Sequence, residues 1–83
     1  MSTLIDKPLA AHHKDGKIRL TMGSGLEIAF PVERNPRLEG KPHAQLNHIE
    51  LSPFGLHWPD LDEDLPIRGI LSGNYGQRPR QAA

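Results

Sequence analysis

The sequence predicts a small α+β domain in which one short C-terminal helix packs on an antiparallel sheet of about five short strands. Apolar and polar residues alternate along several short segments, which is typical of strands with one buried face. Eight prolines and eight glycines interrupt the chain at intervals that suit short strands and turns. A chain of 83 residues has room for one thin core only, because it buries roughly 60% of its unfolded surface.

A three-stranded meander is predicted over residues 9–30. Residues 17–22 and 26–30 alternate in such a way that their apolar side chains share one face. The segment Gly23-Ser24-Gly25 between them suits a tight turn, since glycine adopts a positive φ without steric cost. Upstream, Asp15-Gly16 favours a type I′ turn, and this turn adds the first strand of the meander.

The second half of the chain predicts a hairpin over residues 48–58 and a helix over residues 66–72. The hairpin turns at Ser52-Pro53-Phe54-Gly55, where proline sets φ and glycine closes the turn. A proline at its first position and a glycine after its last residue define the helix. A single helical turn is also expected over residues 41–46, because a proline can occupy the first helical position.

The predicted core consists of apolar residues on the inward face of the strands and on the helix stripe, with Trp58 as its anchor. Its members are Ile18, Leu20, Met22, Leu26, Ile28, Phe30, Ile49, Leu51, Leu56, Trp58, Ile70 and Leu71. One domain is predicted over residues 1–73. Residues 74–83 are predicted to form a disordered C-terminal tail, because they show no apolar periodicity.

Composition excludes several classes of protein. Ten lysines and arginines balance ten aspartates and glutamates, so the chain lacks the basic field of a general nucleic-acid binder. It contains no cysteine, which excludes disulfides and thiolate zinc sites. No apolar stretch reaches 18 residues, and a cytoplasmic location without membrane contact is expected. A net charge near zero also favours association with a partner.

A long motif occupies the C-terminal part of the chain. It reads Glu50-Leu51-Ser52-Pro53-Phe54-Gly55-Leu56-His57-Trp58-Pro59-Asp60-Leu61-Asp62-Glu63-Asp64-Leu65 and continues through Ile70-Leu71-Ser72-Gly73. This segment resembles the C-terminal part of domain-of-unknown-function family 2442. With the upstream hairpin, the resemblance covers residues 8 to 73.

The resemblance implies a small bacterial α+β module, found alone or beside a helix-turn-helix domain. Members of that family are often encoded next to another small protein, in an arrangement similar to a toxin–antitoxin pair. The resemblance supplies no catalytic residue. It therefore points to an interaction with a partner protein.

The acidic run near the C-terminus has the spacing that opens a calcium-binding loop. Asp60, Asp62 and Asp64 alternate as in an EF-hand, but Leu65 stands where that loop requires glycine. The favoured interpretation is that these carboxylates cap the N-terminus of the predicted helix and complement its dipole. A shallow cation site and a contact for a basic partner remain as alternatives.

Five histidines raise the question of a metal site. His12 and His13 are adjacent, so on a strand they point to opposite faces and do not share one ion. His48 and His57 face away from the core on neighbouring strands, and with Asp60 they are weak candidates for a two-histidine, one-carboxylate site. The favoured interpretation is a polar sheet face with cross-strand contacts, and no metal or cofactor is predicted.

The function expected from the sequence is a non-enzymatic protein-interaction module, an antitoxin-like or regulatory partner of a small bacterial protein. Its partner would be another small protein or a second copy of the chain. An exposed sheet edge offers one contact, and candidate contact residues are Arg78, Arg80, Asp60, Asp62 and Asp64.

Two alternatives remain open. The first is a DNA-associated transcriptional regulator that uses Lys14, Lys17, Arg19 and the tail, although no helix-turn-helix is visible. The second is a small metal-binding protein or enzyme built on the histidines. The serines lack a nucleophile elbow, so the sequence predicts no catalytic residue.

Overall fold

The computed structural model describes residues 6–77, which form two antiparallel three-stranded sheets and two short helices. Sheet A has the order β1-β2-β3 and sheet B the order β4-β5-β6. The elements, in chain order, are β1 (Pro8–Lys14), β2 (Lys17–Met22), β3 (Glu27–Pro31), α1 (His43–Leu46), β4 (Glu50–Ser52), β5 (Gly55–Trp58), β6 (Glu63–Pro66) and α2 (Ile67–Leu71). The two sheets contact each other through β1 and β4.

The α+β class is confirmed, while the arrangement of the strands differs from the expectation of one sheet with about five. Sheets A and B are separate: within residues 6–77 no strand of one pairs with a strand of the other, and a 3₁₀ turn at Val32–Arg34, further turns and α1 connect β3 to β4. The sixth strand, β6, was not predicted. It forms because Asp62 adopts a φ of 51°, which helps the turn after β5 bring the chain back beside that strand.

The predicted capping role of the acidic run is therefore wrong. Asp60 and Asp62 lie in the turn between β5 and β6, and Asp64 lies within β6. The helix α2 begins after them at Ile67 and has no acidic residue in its first turn. Within residues 6–77, no helix combines the length and the apolar character needed to cross a membrane.

Local turn chemistry accounts for the meander of sheet A. Asp15 and Gly16 have φ values of 54° and 74°, which is the pair of positive angles that a type I′ turn requires. At the second turn, the carboxylate of Asp6 accepts hydrogen bonds from the backbone N–H of Ser24 at 2.8 Å and from its hydroxyl at 2.5 Å. Both predicted turns are confirmed.

The core lies between the inner faces of the two sheets and the short helices. Leu26, Leu51 and Leu71 were assigned to it wrongly, since each is exposed. They lie next to a turn, on an edge strand and at a helix end, where no other part of the described residues 6–77 covers them. The buried apolar residues are Ile18, Leu20, Met22, Phe30, Leu38, Leu46, Leu56, Trp58, Leu65, Ile67 and Ile70, while the predicted Ile28 and Ile49 are partly buried against them.

A buried asparagine joins distant parts of the chain. The side-chain amide of Asn35 donates to Glu63 Oε2 and to the carbonyl oxygen of Tyr75, each at 2.8 Å. Tyr75 also stacks on Phe30, with ring centroids 4.6 Å apart. The packed part of the chain therefore extends past the domain end predicted at Gly73. The rest of the predicted tail, with Arg78 and Arg80, lies outside the described residues.

A histidine pair joins sheet A to α1. The Nδ1 atoms of His13 and His43 are 2.8 Å apart, and the backbone N–H of His13 donates to Asn47 Oδ1 at 2.8 Å. Burial and the neighbouring His43 lower the pKa of His13 below its ordinary value, against a smaller opposing effect of Asp15. The folded state therefore favours the neutral form of His13.

This pKa shift predicts a pH-dependent stability. Because the pKa of His13 is lower in the folded state, its contribution is fully present above the ordinary value of 6.5 and declines as the pH falls below it. Urea denaturation at pH 7.5 and at pH 5.5 measures how much the free energy of unfolding falls between these two pH values. This decrease should be smaller for His13→Gln than for the wild type. His12→Gln, on the opposite face of β1, is the control and should keep the wild-type loss. If His13→Gln loses as much stability between pH 7.5 and 5.5 as the wild type does, His13 is not the residue that causes the pH dependence.

Candidate functional site

The outer face of sheet B carries a row of polar side chains across its three strands. Glu50, His57 and Asp64 are register partners on β4, β5 and β6, so their side chains share one face. The Nδ1 atom of His57 lies 2.6 Å from Asp64 Oδ1. The opposite face carries Leu56 and Leu65, which are buried in the core.

A second row lies two residues along each strand, formed by Ser52, Gly55 and Pro66. A shallow, mostly apolar groove of about 370 Å³ covers both rows, and the turn residue Phe54 forms one wall. Phe54 is 80% exposed, the highest exposure among the large apolar residues of the described chain. We call these two rows, together with Phe54, the acidic face.

Gly55 determines how closely the strands of this face approach each other. A Cβ atom at this position would overlap the carbonyl oxygen of Leu65 and would lie 3.0 Å from the Cα atom of Pro66. Only glycine therefore fits where β5 passes β6. Gly55 is also one of the residues that line the groove.

The zero net charge of the chain hides an uneven distribution. Between Lys41 and Arg68 the sequence contains five acidic residues and no lysine or arginine. Within residues 6–77, Glu63 is the one acid among these five that pairs with an arginine, since Arg37 Nε lies 3.7 Å from its Oε1 atom. The outer surface of sheet B and the turn after β5 therefore carry a concentrated negative charge.

The weak metal candidates do not form one cluster. His48 Nδ1 lies 2.8 Å from Asp60 Oδ2, whereas the ring of His57 contacts Asp64. His48 precedes β4 and Asp60 follows β5, so these two meet at the end of the hairpin. His57 contacts Asp64 because β6, a strand that the sequence pattern does not predict, pairs with β5. Among residues 6–77, no three potential ligands come close enough to hold a metal ion.

The candidate contact residues of the acidic run have different positions. Asp60 and Asp62 lie in the exposed turn, and Asp64 is part of the acidic face. Sequence reasoning missed Glu50 and Phe54. The register of the 48–58 hairpin would have placed Glu50 opposite His57, and the absence of lysine and arginine over residues 42–67 is readable from the sequence.

The outer face of sheet A has a different character. Its groove of about 290 Å³ is lined by His12, Arg19 and Glu27, among others. The predicted placement of His12 and His13 on opposite faces is confirmed, because His12 pairs with Arg19 outside while His13 turns toward α1. Lys14 pairs with Lys17 at the end of the first hairpin. Charges of both signs therefore share this surface.

A family model extends the comparison to known sequences. It matches residues 8–76, nearly the whole described chain, and represents the family "Protein of unknown function (DUF2442)". The chain belongs to the DUF2442 family. The suspected resemblance is thereby confirmed, and the residues of the acidic face all lie within the matched segment of this DUF2442 protein. No curated protein matches the sequence.

Two solved structures are similar to this DUF2442 protein. A crystal structure of a protein of unknown function from Rhodospirillum rubrum is 28% identical, with a TM-score of 0.77, and the match covers 88% of this chain and 93% of that chain. A solution NMR structure of an uncharacterised protein from Chromobacterium violaceum, a structural-genomics target, is 24% identical, with a TM-score of 0.75. That match covers 86% of this chain and 69% of the other. The second similarity shows the fold alone.

Proposed function

We propose that this DUF2442 protein is a non-enzymatic interaction module of the bacterial cytoplasm that binds another small protein through the acidic face. It would act as the antitoxin-like or regulatory half of the pair. The observation that carries the proposal is Phe54, which stands 80% exposed beside the apolar groove. Exposed aromatic side chains beside a groove are typical of binding hot spots, because a partner removes a large apolar area from water at one position.

The form of the site supports binding over catalysis. A catalytic histidine and carboxylate work best in a cleft that excludes water and holds the substrate on several sides. His57 and Asp64 instead lie on an open sheet surface. Such a surface fits the docking of a second protein, whose own residues would exclude the water.

The same surface argues against the regulator that contacts DNA. An acidic face repels phosphate groups, and Arg19, one of the residues proposed for DNA contact, lines the same groove as Glu27. The helices within residues 6–77 span four and five residues, which is too short for a recognition helix in the major groove. We therefore favour a protein partner.

The proposal predicts that the substitution Phe54→Ser strongly weakens binding of the partner protein. The tagged wild type, purified from its host, should bring down one small protein in equal molar amount, identified by mass spectrometry and weighed as a complex by native mass spectrometry. Removing a hot-spot aromatic weakens binding by about 2 kcal/mol or roughly 30-fold in Kd, so Phe54→Ser should recover little of that protein.

Leu26→Ser is the matched control. Leu26 is also an exposed apolar residue, but it lies in the turn between β2 and β3 of sheet A. This variant should retain the partner, and circular dichroism should show that both variants are folded. Recovery of the tagged chain alone, or full retention of the partner by Phe54→Ser, would contradict the proposed function.

A further inference from the structure

We infer that the acidic face binds an extended protein segment that carries an arginine or lysine two residues away from an apolar side chain. This inference rests on the proposed function and specifies the chemistry of the partner. It follows from the charge of the face, from the groove and from the spacing of its two rows.

The two carboxylates of the first row would attract a cation. Glu50 and Asp64 lie on β4 and β6, on either side of His57. Neighbouring strands are about 4.8 Å apart, so the two carboxylates belong to strands about 10 Å apart. A long cationic side chain lying over β5 reaches both of them. Among the described residues, no lysine or arginine forms an ion pair with either carboxylate.

The second row would accommodate an apolar side chain of the partner. The groove lies over Gly55, with Phe54 and Pro66 among its lining residues. Its volume of about 370 Å³ is at the small end of the range for ligand pockets, which suits one or two side chains. Apolar side chains of the partner would cover Phe54, which the chain leaves in contact with water.

The spacing of the rows selects an extended segment. Because the rows lie two residues apart along each strand, they are separated by about 6.6 Å. In an extended chain, side chains on the same side recur every second residue at the same distance. A segment lying along β5 would therefore place its cation over the first row and its apolar side chain over the second.

Charge also selects the class of macromolecule. Nucleic acids and anionic membranes present phosphate groups, which the carboxylates of the acidic face repel. A basic protein segment is attracted to the same carboxylates, and complementary charge accelerates and orients its docking. The partner is therefore a protein with a cationic and apolar strand-like segment.

A peptide titration of the ¹⁵N-labelled full-length chain tests this inference without knowledge of the natural partner. The probes are two blocked heptapeptides, acetyl-Thr-Arg-Thr-Leu-Thr-Arg-Thr-amide and its analogue with glutamate in place of both arginines. The arginine peptide should shift the amide resonances of residues 50–52, 54–57 and 63–65. It should bind at least tenfold more tightly than the glutamate peptide and more weakly as salt is raised.

The double variant Glu50→Gln/Asp64→Asn should bind the arginine peptide at least tenfold more weakly than the wild type does. The control Asp15→Asn/Glu27→Gln removes two carboxylates from sheet A and should bind as the wild type does. Equal binding of both peptides, shifts confined to other residues or no binding would overturn the inference. Shifts that depend on protein concentration without peptide would assign the face to a second copy and would also overturn it.

The partner recovery experiment and the peptide titration distinguish failure of the proposed function from failure of the inferred partner chemistry. If the purified protein brings down a partner through Phe54 but the arginine peptide does not bind at the acidic face, the interaction function stands and the chemistry inferred for the partner is wrong. If the peptide binds but no partner is recovered from the host, the acidic face binds cationic peptides, and the proposed pairing with a small protein is wrong.

Discussion

Trp58→Ala is expected to lower the free energy of unfolding by about 3–5 kcal/mol, a large part of the total stability of a domain of this size. Trp58 has no exposed surface, and its indole fills the centre of the core. Alanine removes this apolar area and leaves a cavity that the surrounding strands close only in part. Urea denaturation followed by circular dichroism measures the effect, since Trp58 is the single tryptophan and the variant loses its fluorescence.

Trp58→Phe separates packing from hydrogen bonding. The indole Nε1–H donates to the carbonyl oxygen of Leu46 at 2.9 Å and thereby fixes α1 against β5. Phenylalanine keeps much of the apolar contact but leaves that buried carbonyl without its donor, so a smaller loss of about 1–3 kcal/mol is expected. Phe54→Ala is the control for removal of an exposed aromatic and should change stability by about 0.5 kcal/mol at most. Equal effects of Trp58→Ala and Phe54→Ala would contradict the core assignment.

Gly55→Ala is expected to destabilise the fold by about 2–3 kcal/mol. The added Cβ atom would overlap the carbonyl oxygen of Leu65, so β5 and β6 would have to move apart. This movement would weaken the backbone pairing that holds β6 in place. The loss should appear as a lower urea midpoint and as faster exchange of the amide hydrogens of residues 63–65.

Gly69→Ala is the matched control for this substitution. A Cβ atom added at Gly69 would lie 3.5 Å from its nearest neighbour, the Cγ atom of Pro66, which is an ordinary contact distance. Gly69 lies inside α2. Alanine should therefore keep or raise the stability by up to about 1 kcal/mol, because glycine is unfavourable within a helix. Destabilisation by Gly69→Ala as large as that by Gly55→Ala would show that the close approach of β5 and β6 is not the cause.

The candidate site was only partly predictable, and the reason lies in one strand. The 48–58 hairpin was recognised from alternation and from a proline–glycine turn, and it correctly placed His57 on the outer face. The segment with Asp60, Asp62 and Asp64 has the composition of a helix start, and only the reversal of the chain at Asp62 makes it a turn and a strand. Without β6, the partner of His57 could not be identified as Asp64.

Structural features that depend on near neighbours in the chain were predictable from the sequence. The type I′ turn at Asp15-Gly16, the alternation of β2 and the start of α2 near Pro66 each require the conformations of a few consecutive residues. The family motif is likewise continuous in sequence. These features were read correctly because backbone sterics and side-chain periodicity act over two to four residues.

Contacts between distant segments were not predictable and became known from the folded chain. Leu38 is buried in the middle of a polar turn region, while Leu26 is exposed although it directly precedes β3. Asn35 is buried because its partners, Glu63 and Tyr75, arrive from 28 and 40 residues away. Burial and charge segregation depend on contacts between distant residues, whose free energy is gained only once the whole chain packs. The division into two sheets and the acidic face both arise at this level.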